Sequence, residues 1–209
     1  MRKITKKARL ESLERFKADF LAREGRQPQY DDLRGEEYHK VKCDLIEEQF
    51  ALCCYCGKRI HDYDAHIEHF VPQSADDTKT LAYDNMLASC NGYRDRQENC
   101  GHKKDNWYDA NTVSPMEEDC ESHFTYSVDG KIDAPPDDER GRQTIRHLEL
   151  DSTLLNRARR SAIYISGLFD EDFDAQKKEE LLKAFRTPTD GELPPFCVAI
   201  CYCIEHAKV

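Results

Sequence analysis

The first fifty residues carry apolar side chains at the spacing of one helix face. These positions are Leu10, Leu13, Phe16 and Phe20 and, after a break rich in Gly, Pro and Asp, Tyr38, Val41, Leu45 and Ile46. Apolar residues that recur every three or four positions are typical of an amphipathic helix, whose apolar face packs on a core. The pattern predicts an N-terminal helical region over residues 1–50.

The helical pattern returns in the last third of the chain. Asp151 or Ser152 stands where a helix N-cap is expected, and apolar residues recur from there to Ile163. A second helix is predicted over residues 173–185. The nine apolar residues 196–204 follow two prolines and predict either a buried helix or a helix that binds a partner.

The middle of the chain loses this period and favours short strands. Residues 66–74 read HIEHFVPQS, which suits a strand that Pro72 ends, since proline offers no N–H to a neighbouring strand. Residues 122–134 predict a hairpin with Asp129-Gly130 at its turn. We therefore expect an α+β chain, mainly α, with three regions at 1–50, 51–108 and 109–209.

The charge and hydropathy of the chain argue against several classes of protein. The 209 residues hold 31 Lys and Arg against 41 Asp and Glu, a net charge of −10, which argues against coating nucleic acid or a membrane with the whole surface. The start MRKITKKARL has no apolar core of a secretory signal, and nine apolar residues are far short of the roughly 20 that span a bilayer. We expect a cytoplasmic protein without a membrane partner.

Ten cysteines then suggest a metal, because clustered thiols in a reducing cytosol are more often ligands than disulfides. Cys53 and Cys56 form a Cys-x-x-Cys pair before Gly57, and Cys90 and Cys100 supply a second, more widely spaced pair. Four thiolates would close a structural Zn²⁺ site. Cys54 competes with Cys53 as a ligand, and the spacing favours Cys53.

Chemically specific residues stand between and after the cysteine pairs. Glu68 and His69 are adjacent, Asn85 precedes Cys90 by five residues, and His102 follows Cys100 by two. On a regular strand Glu68 and His69 point to opposite faces, so a bend or a metal would have to bring both to one site.

The series resembles the HNH endonucleases of the ββα-metal (His-Me finger) type. It runs from the pair Cys53 and Cys56 through Glu68-His69-Phe70-Val71-Pro72 and Asn85 to Cys90, Cys100, His102, Lys103 and Lys104. The wording of the motifs is closest to the HNH subunits of Septu-type and retron-associated anti-phage systems, the PtuB group. The resemblance covers about 55 residues, roughly Cys53 to Trp107.

The resemblance implies a role for each matched residue. His69 would take a proton from water, while Glu68 and His102 would bind a catalytic Mg²⁺ or Mn²⁺. Asn85 would hold His69 or the active-site loop, and Lys103 or Lys104 would touch phosphate. The family's third position usually follows the last cysteine directly, so Asn91 and Asn106 stay open as alternatives to His102. His66 is expected to be an ordinary strand residue.

The resemblance also implies partners. The expected function is hydrolysis of nucleic-acid phosphodiester bonds, DNA being favoured, within a complex that holds an ATPase subunit of the PtuA type and, in retron systems, a reverse transcriptase with its RNA–DNA product. An acidic nuclease would need a partner to grip its substrate. Two alternatives stay open: a zinc-stabilised binding or scaffold subunit with an inactive signature, and a stand-alone restriction-type HNH nuclease.

Overall fold

A computed structural model describes residues 1–92, 98–109 and 111–208 of the chain. The chain is α+β, with short antiparallel strands among a larger number of helices. Its helices and strands are α1 (Glu11–Glu24), α2 (Gly35–Glu48), β1 (Ala65–His69), β2 (Met86–Cys90), α3 (Cys100–Lys104), β3 (Thr125–Tyr126), β4 (Ile132–Asp133), α4 (Glu139–His147), α5 (Thr153–Tyr164), α6 (Ala175–Arg186) and α7 (Cys197–His206).

The two N-terminal helices form as their apolar spacing predicts. Leu13, Phe16 and Phe20 line the buried face of α1, which packs against α2. Gly25 ends α1 at a φ of +70°, where its N–H donates to the Leu21 carbonyl. Glycine adopts this left-handed conformation without a steric penalty, so it is a natural residue for a helix C-cap.

Strands β1 and β2 pair antiparallel in the middle region. The register sets Ala65 opposite Cys90 and His69 opposite Met86. Helix α2 packs against both strands and the short helix α3 packs against β2. The result is a compact strand–strand–helix unit whose strands are almost wholly buried.

The hairpin predicted over residues 122–134 forms as β3 and β4, with Gly130 in the turn at a φ of +87°. Helix α4 begins at Glu139, before the Asp151 or Ser152 at which the sequence predicts a helix N-cap. The Asp138 side chain caps it by accepting from the Gly141 N–H. The sequence Glu139–His147 has a single large apolar residue, Ile145, so periodicity could not locate this start.

The C-terminal apolar run forms the buried helix α7. Ala199, Ile200, Cys203 and Ile204 lie in the core, and α7 packs against α5, α6 and β3. Of the two alternatives for residues 196–204, the structure therefore shows the buried helix. Ser152, rather than Asp151, caps α5 by accepting from the Leu155 N–H.

One apolar cluster runs through all three regions. Buried side chains from α1, α2, β1, β2, α5 and α7 belong to it, so the strand–strand–helix unit shares its core with the flanking helices. Within the described residues, every helix is too short or too polar to cross a bilayer.

Candidate functional site

Four buried cysteines lie together at one end of the strand pair. Cys53 and Cys56 come from the turn after α2, Cys90 is the last residue of β2, and Cys100 is the first of α3. Their sulfur atoms all lie within 4.8 Å of one another, and the cysteines are free thiols, not disulfides. This arrangement is compatible with a structural metal such as zinc, for which four thiolates are a common ligand set.

The turn itself brings the first two thiols together. The Gly57 N–H donates to the Cys53 carbonyl, and Gly57 has a φ of +74° that allows the chain to reverse there. The Cys90 N–H lies 3.4 Å from the Cys53 sulfur and the Ser89 hydroxyl lies 3.8 Å from it. Strand β2 thus docks on the turn through the sulfur of Cys53.

Cys54 is buried beside this group without belonging to it. Burial raises the pKa of the Cys54 thiol well above its ordinary value, and neighbouring Cys53 adds to the rise. Burial also acts to raise the pKa of Cys53, but hydrogen bonds from Cys100 and the other nearby thiols outweigh it and hold that pKa well below its ordinary value. Because the sulfur of Cys53, and not that of Cys54, belongs to the group of four, the structure favours Cys53 as the ligand.

Glu68 is a buried carboxylate with three partners. The Tyr55 hydroxyl and the Lys104 ammonium each lie 3.0 Å from Oε1, and His66 Nε2 lies 3.4 Å from Oε2. Burial acts to raise the pKa of Glu68, but His66 and Lys104 outweigh it, so the pKa is lowered. Glu68 is therefore a charged group in a largely water-free place.

The His69 ring is fixed by a main-chain oxygen. Its Nε2 lies 2.8 Å from the Thr80 carbonyl, and since a carbonyl only accepts, Nε2 carries the hydrogen. This assigns the lone pair to Nδ1, whose neighbour is the Gln73 amide at 3.5 Å. Burial lowers the pKa of His69 despite the opposing Thr80 bond, which favours the neutral ring that a proton acceptor needs.

Asn85 holds the loop after β1. Its Oδ1 accepts from the Val71 N–H at 2.7 Å, and its Nδ2 donates to the carbonyls of Val71 (3.0 Å) and Lys79 (3.1 Å). Of the two roles that the resemblance implied, this geometry fits the loop-holding one, because the described contacts of the amide go to the loop and not to the His69 ring. The loop carries Thr80, so Asn85 acts on His69 indirectly.

A polar cluster next to Glu68 consists of His66, Asn91 and His102. The rings of His66 and His102 have centroids 4.4 Å apart. Asn91 Oδ1 lies 2.9 Å from His66 Nδ1 and 3.4 Å from His102 Nε2. His66, expected to be an ordinary strand residue, therefore belongs to the polar cluster. The signal was its position two residues before Glu68, which places both side chains on one strand face.

The predicted pair of catalytic metal ligands, Glu68 and His102, is only loosely assembled. Among the described residues, the two do not share a group of three His, Cys, Asp or Glu side chains whose ligand atoms all lie within 4.8 Å. His66 stands nearer to Glu68, and His102 is exposed in the first turn of α3. The alternative Asn106 is engaged elsewhere, accepting from the Ser74 hydroxyl at 2.6 Å.

The two lysines expected at phosphate have protein partners. Lys104 is buried, and its ammonium contacts both Glu68 and the His69 carbonyl at 3.0 Å. Lys103 is half-exposed and lies 3.7 Å from Glu149. Lys104 is therefore a partner of the acidic residue in the cluster, which the sequence alone did not indicate.

Gly101 allows α3 to approach Glu68. A Cβ built at this position would lie 2.6 Å from His66 Nε2 and closer still to Glu68 Oε2. Real Cβ atoms do not reach such distances, so any larger residue would push these side chains apart. Glycine is therefore required directly after Cys100, at the position where HNH endonucleases usually have their third residue.

No protein-family model matches the chain, and no curated protein matches it.

Proposed function

We propose that this chain is a metal-dependent HNH endonuclease that hydrolyses nucleic-acid phosphodiester bonds as the nuclease subunit of an anti-phage complex. One observation carries the proposal. Glu68 and His69 are consecutive residues at the end of β1, and Glu68 lies against the short helix that begins at the cysteine cluster. This order and placement are what the resemblance to HNH endonucleases implies.

The four cysteines supply the structural zinc site of this proposal. Cys53 and Cys56 belong to a turn, Cys90 to β2 and Cys100 to α3, so one ion would tie three chain segments together. Such a site contributes its binding free energy directly to folding. Zinc in this role does not take part in hydrolysis.

His69 is the proposed proton acceptor. Thr80 fixes the hydrogen on Nε2, which leaves Nδ1 to accept a proton from water. The only described neighbour of Nδ1 is the Gln73 amide at the outer limit of a hydrogen bond, so a water molecule could replace it. Asn85 keeps the loop that carries Thr80 in place.

Glu68 with His102 is the proposed holder of a catalytic cation. Oε1 of Glu68 is engaged by Tyr55 and Lys104, while the partner of Oε2 among the described residues is the His66 imidazole, so Oε2 keeps lone pairs for an ion. Mixed oxygen and nitrogen donors suit Mg²⁺ or Mn²⁺. When bound, the metal stabilises charge on the scissile phosphate and on the leaving oxygen.

The negative charge of the chain supports a partner. Acidic proteins are repelled by nucleic acid at long range, and the net charge here is −10. Lys103 and Lys104 near the cluster already pair with glutamates. An ATPase subunit, and in a retron system the reverse transcriptase with its RNA–DNA product, would then supply much of the grip on DNA.

Plasmid cleavage tests the proposal. The purified chain, alone and with its co-purifying ATPase, is incubated with plasmid DNA and Mg²⁺ or Mn²⁺ beside His69→Ala and a control, His61→Ala. His61 is half-exposed in a loop before β1. We expect wild type and His61→Ala to cleave and His69→Ala to fail. Equal cleavage by His69→Ala would overturn the site.

The buried ion pair favours a second candidate, a binding or scaffold subunit with an inactive signature. Lys104 neutralises Glu68 without any metal. In that case the complex would bind nucleic acid without cleaving it, and His69→Ala would leave that binding unchanged. Robust cleavage by the chain without a partner would instead favour a stand-alone restriction-type nuclease.

A further inference from the structure

A second cluster of potential ligands lies outside the four-cysteine cluster and the proposed nuclease site. Glu117, Asp119 and His123 each offer one ligand atom, and these atoms all lie within 4.8 Å of one another. The residues come from a short segment that ends in the 3-10 helix Cys120–His123. Ligand atoms that converge in this way could share one ion.

His123 has one ring nitrogen with a partner and one without. Its Nδ1 lies 2.6 Å from a carboxylate oxygen of Asp138, the N-cap of α4. Its Nε2 is shut off from solvent and has no hydrogen-bond partner among the described residues. A buried polar atom without a partner destabilises a fold, and a bound ion is one way to satisfy it.

The arrangement repeats a common feature of metal sites. A histidine that binds a metal through one ring nitrogen usually donates the hydrogen of the other to a carboxylate or carbonyl. Asp138 accepts that hydrogen from His123 Nδ1, which fixes the lone pair on Nε2. The free nitrogen is thus prepared to bind a cation.

The carboxylates of Glu117 and Asp119 differ in the partners that they contact. Glu117 is paired with Arg140, whose NH2 group lies 2.8 and 2.9 Å from its two oxygens. Asp119 is exposed, and its carboxylate has no hydrogen-bond or ion-pair partner in the part of the chain that the structure describes. Each carboxylate oxygen accepts more than one contact, so Arg140 leaves lone pairs on Glu117 for an ion.

A comparison with another group strengthens the choice. His39, Cys43 and Asp62 also have ligand atoms within 4.8 Å. There, however, Asp62 already holds the Lys42 ammonium at 2.8 Å and His39 at 3.0 Å, so its charge is balanced without an ion. In the group around His123, by contrast, the Asp119 carboxylate and the His123 Nε2 atom have no hydrogen-bond partner among the described residues.

We propose that Glu117, Asp119 and His123 bind a divalent transition-metal ion such as Zn²⁺ or Mn²⁺, with Asp138 orienting His123. The ion would join the segment before β3 to the start of α4. It would stabilise this corner of the fold without touching the nuclease cluster, so the proposal does not depend on the chain being a nuclease.

Metal stoichiometry tests the site. The full-length chain is titrated with Mn²⁺ and with Co²⁺, and bound metal is measured by elemental analysis beside Asp119→Asn and Asp138→Asn. The matched control is Glu118→Gln, which neutralises an exposed carboxylate one residue away that pairs with Lys3. Co²⁺ adds a spectroscopic readout, because thiolate ligands give intense charge-transfer bands that oxygen and nitrogen ligands lack.

We expect wild type and Glu118→Gln to bind one equivalent more than Asp119→Asn, with no change in the thiolate bands. Asp138→Asn should weaken this equivalent by about 10-fold to 100-fold, as loss of an orienting carboxylate does. Asp119 is exposed, so its substitution should leave folding intact. Equal stoichiometry and affinity in Asp119→Asn and wild type would overturn the proposal, as would a loss in Glu118→Gln of the same size.

Discussion

The cysteine-bearing middle region and the C-terminal helices are built in opposite ways. Between residues 51 and 108, buried polar side chains such as Glu68, Asn85 and Lys104 are satisfied by one another and by main-chain groups. In the C-terminal part, α7 fills the core with an almost unbroken apolar sequence. The first region depends on specific contacts, and the second depends on apolar burial.

This contrast shows how the proposed site can lie within a small fold. The middle region buries apolar side chains such as Ile67, Met86 and Leu87 in the shared core, but ionised and hydrogen-bonded groups of the proposed site occupy part of its interior. A tetrahedral metal at the cysteines would add stability that these groups do not supply. The flanking helices then provide a shared hydrophobic support on which this unit rests.

Loss of the proposed zinc should be the largest single effect. Cys56→Ser removes one of four ligands, and structural zinc sites contribute on the order of 10 kcal/mol of binding free energy. We expect the bound zinc to fall by about one equivalent and the middle region to lose its folded signals. Elemental analysis and near-UV circular dichroism measure both.

The matched control is Cys54→Ala, which removes a buried thiol next to the cluster and outside it. It should keep full zinc content and cost only about 1 kcal/mol. If Cys54→Ala releases the metal and Cys56→Ser does not, the ligand assignment is wrong.

The apolar region should respond to a truncated side chain in the ordinary way. Ile204 in α7 is fully buried, so Ile204→Ala should lower the free energy of unfolding by about 2–5 kcal/mol through lost burial and a cavity. Ile165, just after α5, is 82% exposed, and Ile165→Ala should change it by less than about 0.5 kcal/mol. Urea denaturation measures both, and similar losses would show that α7 is not the core helix.

Arg159 is the exception within the apolar region. Its guanidinium is buried and donates to the carbonyls of Gly130 and Leu150. Arg159→Ala should cost about 3 kcal/mol, since it removes charged hydrogen bonds and strands two carbonyls. Arg160, the exposed neighbour, should tolerate alanine. Equal thermal stability of the two variants would rule out the buried role.

Asn85 should give the smallest of these effects on stability. Asn85→Ala removes three hydrogen bonds to the loop after β1 and should cost about 2 kcal/mol. Asn111→Ala, an exposed control, should cost less than about 0.5 kcal/mol. Hydrogen exchange should show faster opening of residues 71–80 in Asn85→Ala alone, and an unchanged loop would contradict the holding role.

Patterns of apolar residues predicted most of the helices. Helices α1, α2, α5 and α7 each place a run of large apolar side chains on one face, which is a local property of the sequence. The cysteine cluster could also be predicted from the sequence, because clustered thiols at metal-ligand spacing in a reducing cell are usually ligands.

Contacts between residues that are far apart in the sequence could not be predicted from it. The sequence places Arg159 in a basic run with Arg157 and Arg160, yet the structure buries Arg159, because carbonyls from the β3–β4 turn and from before α5 converge on it. Lys104 was expected at phosphate, and it is the partner of Glu68. A sequence pattern gives the type of a side chain and the face of the helix or strand on which it lies. The packing of helices and strands then decides which charged group that side chain contacts.

Metal-dependent cleavage, measured with and without the proposed ATPase partner, is the most direct test of the nuclease proposal. His69→Ala and His61→Ala are compared with wild type in preparations of equal zinc content, so that folding does not differ. Loss of a general base lowers the rate by about 10²-fold to 10⁴-fold. We predict a loss of this size in His69→Ala and wild-type rates in His61→Ala. Equal rates in all three proteins, or no cleavage by any of them, would contradict the proposal.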